Sequence, residues 1–243
     1  MRLYREQEHN RRIAGKAEIV WGEATLAGRQ RIKRRSDLII KACGIVPGMR
    51  VLEIGCGTGR YSSMFAQTKA QLFATDISWE LMTHAAKQND GQNILCQAER
   101  LPFKDMSFDA VVGNAVLHHL DLSLALQEIK RVLTHKGRFA FTEPNMLNPQ
   151  NMLIKNVKFL GHLFGESPDE TAFFSWKILK QLRKAGFCEP MAQPFDFLHP
   201  IVPDSMVGIV NLLGGFMERI YGVRNMAGSL IISGGKGKEV IGE

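Results

Sequence analysis

The sequence predicts an α/β domain built on an open, mostly parallel sheet with helices on both faces. Three observations predict it. Short apolar runs alternate with helix-length segments from residue 49 to residue 142. The first run, Met49 to Ile54, ends in Gly55-Cys56-Gly57-Thr58-Gly59, a glycine-rich turn that opens a helix. The second run, Gln71 to Thr75, closes on a carboxylate, Asp76. Strands separated by helices are joined by crossovers, and crossovers make parallel neighbours.

Each element follows from local pattern. Asp37 to Cys43 reads as the end of a helix, broken by Gly44 and Pro47-Gly48. After the glycine turn, Arg60 to Lys69 reads as a helix, Trp79 to Gln88 as another, and Ile94 to Ala98 as a short strand. Leu101-Pro102-Phe103 is a turn, and Phe108 to Gly113 a strand. Leu122, Leu126, Ile129 and Leu133 recur at helical spacing, and Gly137 to Thr142 is the next strand. Residues 146–174 then read as an insertion carrying an amphipathic helix. Ser175 to Ala185 is helical, residues 187–198 form a strand, and Asp204 to Tyr221 is a helix weakened by three glycines. Ser229 to Ser233 is a last strand, and the glycine-rich tail from Gly234 is expected to fray.

Composition narrows the class. With 45% hydrophobic and 23% charged residues, the 243-residue chain is not an extended disordered protein. Its longest charge-free apolar stretch, Ser205 to Met217, is too short to span a bilayer as a helix. The basic N-terminus has no apolar core of a secretory signal. Four scattered cysteines form no CxxC pair, which suits a reducing cytoplasm and argues against a disulfide scaffold or zinc site. No histidine pair has metal-ligand spacing, so no metal is expected. The net charge of +7 is concentrated, because residues 1–35 hold ten Lys/Arg and four acids. We therefore divide the chain into a basic helical arm or lid, residues 1–44, and a domain, residues 45–243. A basic arm suits nucleic acid, anionic lipid or an acidic small molecule, or is simply a solvated helix face.

The glycine turn carries the chemistry. Glycines let the backbone approach a ligand, and the following helix offers unpaired N–H groups. A dinucleotide fingerprint G-x-G-x-x-G fails, because the sixth position from Gly55 is Arg60. Asp76, at the carboxyl edge of the sheet beside this turn, can accept both hydroxyls of a ribose, or it caps the helix near Trp79.

These residues carry a family resemblance. VLEIGCGTG, FATDIS, AERLPF, FDAVVGNAVLHHL and GRFAFTEPN, in this order, resemble the motifs of class I S-adenosylmethionine-dependent methyltransferases of the small-molecule type. The likeness covers residues 49–145 strongly and 175–234 loosely. It implies a doubly wound, Rossmann-like sheet of six parallel strands and one antiparallel strand, and S-adenosylmethionine as cofactor. It further implies that Gly55, Cys56 and Gly57 face the methionine part, with Glu53 shaping that pocket. Asp76 would hold the ribose hydroxyls and Ile77 would pack on the adenine. Ala98 and Glu99 would reach the adenine edge, and Asn114 and Ala115 would meet the amino group and sulfonium side.

A sulfonium already activates its methyl group, so the protein must align a nucleophile and exclude water. Where a proton must leave, His118, His119 and Glu143 are the candidate bases; Glu143 is equally a hydrogen-bonded acid that fixes the next loop. Trp21 reads as a lid, and Arg29, Arg31 or Arg35 can pair with the cofactor's carboxylate. Two apolar stretches, residues 151–164 and 205–221, suggest a roof over the site for an apolar, lipid-like or glycolipid acceptor, with peripheral membrane contact. The first carries Met152, Leu153, Val157, Leu160, Leu163 and Phe164. The expected function is methyl transfer to a small molecule in the cytoplasm. The alternatives are an RNA methyltransferase gripping through the basic arm, or a non-catalytic cofactor-binding partner subunit.

Overall fold

The computed structural model describes residues 2–88, 91–156 and 172–237. Helices α1 (Arg2–Ile13), α2 (Ala17–Val20) and α3 (Leu26–Cys43) precede β1 (Arg50–Ile54), α4 (Arg60–Ala66), β2 (Gln71–Asp76) and α5 (Trp79–Ala85). Then come β3 (Gln92–Leu95), β4 (Phe108–Asn114), α6 (Leu122–Val132), β5 (Leu133–Pro144) and α7 (Pro149–Asn156). The chain continues with α8 (Ser175–Lys184), β6 (Cys188–Phe195), α9 (Val207–Met217) and β7 (Ser229–Gly235). One seven-stranded sheet runs in the order β3-β2-β1-β4-β5-β7-β6. β7 alone is antiparallel to its neighbours, as the family resemblance implies.

Alternation along each strand splits the core into two layers. Leu52, Ile54, Val111, Phe139 and Phe141 face α6 and α8, burying Ile129, Ile178 and Leu182. Val51, Ala110, Val112 and Ala140 face α3 and α4, burying Ile32, Ile39, Cys43, Tyr61 and Phe65. Helix α3 thus shares a core with the sheet. It starts at Thr25, whose hydroxyl accepts the Gly28 N–H at 3.0 Å, and stops at Gly44 in the left-handed region, φ 64°.

Boundaries differ from expectation where tertiary contacts intervene. The strand expected over Ile94 to Ala98 ends at Leu95. The Cys96 N–H donates to the Asp76 carbonyl (3.0 Å) and the Arg100 N–H to the Gln97 carbonyl (3.1 Å), so the backbone turns there. The tail expected to fray from Gly234 is ordered over its first residues: Gly234 and Gly235 pair within β7, and buried Lys236 donates Nζ to the Leu133 carbonyl at 2.8 Å. Residues 238–243 lie outside the described residues. Residues 204–221 are not one helix: a 3-10 turn, Asp204–Met206, leads into α9, whose interior keeps all three glycines. The roof expected from that segment is not formed. Helix α9 packs on the outer side of α3, where Val207 meets Ala27 and the Asn211 amide reaches Gln30. Of the apolar residues expected in the first roof stretch, Val157, Leu160, Leu163 and Phe164 lie outside the described residues. Among the described residues no helix is long and apolar enough to cross a membrane.

Strand register positions the site. Glu53 pairs with Ala74 and Ile54 with Thr75, so the glycine turn leaves β1 level with Asp76 at the end of β2. The turn closes on α5: a β-carbon on Gly59, φ 86°, would lie 2.8 Å from Cα of Ala85. We expect Gly59→Ala to lower unfolding free energy by about 2 kcal/mol or more, from the left-handed backbone and overpacking together. Urea denaturation measures it, and an unchanged midpoint would contradict this packing.

Candidate functional site

The strand order creates the site. Strand order reverses between β1 and β4, so the connections leaving them pass to opposite faces of the sheet. That divergence opens a crevice beyond the strands' carboxyl ends. A cavity of about 810 Å³ occupies it.

The glycine turn forms the floor. Gly55 and Gly57 have φ of 69° and 53°, a region costly for any residue with a β-carbon. A β-carbon at Gly55 would lie 2.5 Å from Cγ2 of Val116, and one at Gly57 would lie 3.2 Å from the Trp21 ring. Trp21 thus lies over the turn. The Gly57 N–H donates to Oδ2 of Asp76 at 2.9 Å, and the Ser78 N–H donates to Oδ1 at 2.9 Å. The helix cap falls to Ser78, whose hydroxyl accepts the Leu81 N–H at 3.2 Å. Burial raises the Asp76 carboxyl above its ordinary range, against the amide bonds from Ser78 and Gly57.

Cys56, Ile77, Ala98, Glu99, Asn114 and Ala115 join Gly55, Gly57 and Asp76 on the cavity wall. Glu99 accepts the Asp121 N–H at 3.0 Å, tying the wall to the start of α6. Ala115 sits at φ 51° and donates its N–H to the Thr142 carbonyl at 2.7 Å. The left-handed conformation costs roughly 1–2 kcal/mol for an alanine.

Two expected residues stand off the wall. Glu53 is buried beneath the glycine turn, and its Oε2 accepts the Ser62 hydroxyl at 2.5 Å. The reason is strand parity: residue 53 shares the face of Val51, toward α4. Burial pushes its carboxyl up to about 8, against the Ser62 bond. Glu143, expected as a base or a loop-fixing acid, is fully engaged behind the wall. Its Oε1 accepts the Val116 and Leu117 N–H groups at 3.0 and 2.8 Å, and Oε2 lies 2.6 Å from Nδ1 of His118. His118 and His119 do line the cavity, their ring centroids 4.1 Å apart. Nδ1 of His119 lies 3.2 Å from Oε2 of Glu6 on α1.

The arginines divide. Arg29 is exposed and donates to the Ala24 carbonyl at 2.6 Å, away from the wall. Arg31 and Arg35 line the cavity, and both reach Oδ2 of Asp196, at 2.9 and 3.3 Å. Arg35 also donates to Asn114 Oδ1 at 3.1 Å and to the Ser229 hydroxyl at 2.6 Å. Burial alone would raise the Asp196 carboxyl, but Arg31 and Arg35 hold it below its ordinary range. Sequence reasoning missed Asp196: it follows a loosely matched strand and sits 161 residues from Arg35. The arginines' spacing, one helical turn apart, was the available signal. Glu23 was also missed; burial pushes its carboxyl up to about 7, against nearby Arg60. Among the described residues, Glu23 Oε2, Arg35 Nε and Thr58 Oγ1 are buried without a hydrogen-bond partner, and all three residues line the cavity.

Two expectations follow. Glu53 and Glu23 have raised carboxyls, so the folded chain binds more protons than the unfolded one between about pH 4.5 and 8. Their stabilising contribution is full below that window and is lost as pH rises through it. Glu53→Gln should therefore flatten the decline in melting temperature between pH 5 and pH 9; an unchanged slope would contradict a proton held at Glu53. Asp196→Ala leaves two buried guanidinium groups uncompensated and should cost about 3 kcal/mol or more in denaturant unfolding.

Comparison with known proteins agrees with this geometry. Residues 52–141 match a family model described as a methyltransferase domain. An uncharacterised protein of Methanocaldococcus jannaschii is 36% identical over 114 residues, covering 46% of this chain and 43% of that protein. The chain thus spans under half the length of that relative. A Beutenbergia cavernae protein named demethylmenaquinone methyltransferase is 28% identical over 208 residues, covering 84% of this chain and 79% of its own. An S-adenosylmethionine-dependent methyltransferase of Thermotoga maritima shares the fold, with a TM-score of 0.62 at 22% identity over 89% of this chain and 98% of that one. Residues 52–141 thus carry a methyltransferase domain, on a seven-stranded sheet that shares the fold of a solved S-adenosylmethionine-dependent methyltransferase.

Proposed function

We propose that this protein transfers a methyl group from S-adenosylmethionine to a small, lipid-like acceptor of the quinone type. The observation that carries the reading is a single cavity in which the Gly55–Gly59 turn and Asp76 face His118 and His119. The residues present fit the cofactor. The turn has no β-carbon to block close approach, and unpartnered buried donors and acceptors line the same wall. Gly55, Cys56 and Gly57 suit the methionine part, Asp76 the ribose hydroxyls, and Ile77 with Ala98 and Glu99 the adenine. Asn114 and Ala115 suit the sulfonium side. Arg31 and Arg35 together exceed the charge of Asp196, so this part of the cavity wall keeps a local positive surplus suited to a carboxylate. Glu53 acts from behind, supporting the turn.

S-adenosylmethionine, when bound, supplies a methyl group activated by its sulfonium. The chain's residues orient the acceptor and keep water out. Trp21 and α1 cover the cavity. His119, on the wall with its Nδ1 toward Glu6, is the group we assign to take a proton from the acceptor. Glu143 is a positioning residue: it holds the 116–118 backbone and the His118 ring. Relatives named demethylmenaquinone methyltransferase support a quinone-type acceptor. The arm's arginines also favour a small molecule over RNA, since Arg31, Arg34 and Arg35 are committed to Asp196 and Glu218.

Calorimetric titration with S-adenosylhomocysteine tests the pocket. The native chain should bind at micromolar concentration, and Asp76→Ala should weaken binding at least about tenfold through the lost charged hydrogen bonds. A folded native chain that does not bind would sink the reading. With labelled donor and a short-chain demethylated quinone, His119→Ala should lower kcat about a hundredfold while leaving S-adenosylhomocysteine affinity unchanged. Unaltered turnover would remove His119 from the mechanism.

A further inference from the structure

Helix α9 is apolar on a side that nothing described covers. Of its eleven residues only Val207 and Gly214 are buried. Ile209, Leu212, Leu213 and Phe216 are exposed, Leu212 at 75%. Ile201 before the helix and Tyr221 after it are exposed at 74% and 93%. The inner side is fixed against α3, where Val207 and Val210 meet Ala27 and Leu198, and the Gly214 backbone lies against Phe197. A pure packing role would turn the large apolar side chains inward. Here Val207 and Gly214 face inward, and Ile209, Leu212, Leu213 and Phe216 face out.

Two further observations identify the occupant. The first is charge. Arg219 and Arg224 follow α9 in sequence and are exposed, as is Lys33 of α3, next to Arg34, which pairs with Glu218 just after α9. Against them stand Asp204 and Asp37, the latter paired with Lys33 at 2.7 Å. The surface is an apolar stripe with a cationic border. A second copy of the chain would bring that border against itself, whereas anionic headgroups neutralise it. The second is continuity with the cavity. Pro200, adjacent to Ile201, lines it, as do Asn151 and Lys155 of α7, where Met152 and Leu153 are exposed. Helix α7 is tied to the same region by the Asn148 amide donating to the Met226 carbonyl at 2.8 Å.

We infer that α9 and its flanking loops dock the protein on the surface of an anionic phospholipid bilayer, with the cavity mouth beside the lipid. An amphipathic helix with a basic border lies in the plane of the interface, its apolar side among the acyl chains and its cations at the headgroups. Such docking lets an apolar acceptor pass from bilayer to cavity without crossing water. The inference rests on the lipid-like acceptor proposed above and adds the place where that acceptor is met.

Vesicle co-sedimentation of the full chain tests it, using phosphatidylcholine with and without about 30% phosphatidylglycerol, a composition whose surface potential attracts juxtaposed cations. The native chain should bind the anionic vesicles and bind pure phosphatidylcholine at least tenfold more weakly. The double variant Leu212→Glu with Phe216→Glu should lose at least tenfold in partition. Arg219→Glu with Arg224→Glu, which leaves the apolar face intact, should remove the preference for phosphatidylglycerol. S-adenosylhomocysteine calorimetry on every variant reports whether the pocket is intact. It also separates failure of the methyltransferase reading, seen there, from failure of docking, seen only with vesicles. Native protein that ignores both vesicles at low salt would overturn the inference. So would sedimentation of the native chain as a dimer that the Leu212 and Phe216 changes dissociate, which would assign the face to a second copy. Vesicle binding unchanged in both variants would overturn it as well.

Discussion

Two guanidinium groups one helical turn apart, Arg31 and Arg35, converge on a single buried carboxylate, Asp196. Much of the site depends on this junction, because it joins the N-terminal helices to the far end of the sheet. Asp196 holds a left-handed backbone, φ 76°, and its N–H is held in turn by Glu218 at 2.8 Å. Glu218 also pairs with Arg34, so three arginines of α3 are gathered by two acids from the last third of the chain. A buried pair of this kind adds little net stability over apolar packing, but losing one partner is costly. Its effect here is geometric. It sets α3 across the carboxyl ends of β4 and β6 and the amino end of antiparallel β7, and Arg35 then reaches Asn114 and Ser229 at the cavity wall.

The loop after β4 is governed by a second acid in the same manner. Glu143 gathers two amide groups and a ring nitrogen and is itself withdrawn from the cavity. Ala115 is held left-handed, and the two histidine rings are presented side by side, tilted 39° to one another. For a reaction in which the donor carries its own activation, fixed orientation is the larger part of what a protein must provide. The most buried acids therefore serve as scaffold.

Periodicity revealed the sheet, because strand and helix repeats are local properties. The glycine turn and Asp76 were equally legible, since their roles depend on position at a strand end. Other features were not. Whether Glu53 faces the cavity depends on the parity of β1 relative to α4, and the motif alone does not state it. Asp196 enters the site through a long-range pairing across 161 residues. Helix α9 was readable as apolar, but the direction of its apolar side is set by small residues, Gly214 against Phe197, whose partner is invisible in a linear pattern. Of the three glycines that suggested a weak helix, Gly214 lets it lie close to Phe197.

The space that a β-carbon would take at Gly55 is already occupied by Val116, whose own amide is held by Glu143. Positions 55, 116 and 143 are therefore not independent in evolutionary drift. A larger residue at the first would require a smaller one at the second, and that exchange would have to keep the third acid in reach. Lineages descended from this chain should show these three positions changing together or not at all, while the exposed residues around them vary freely.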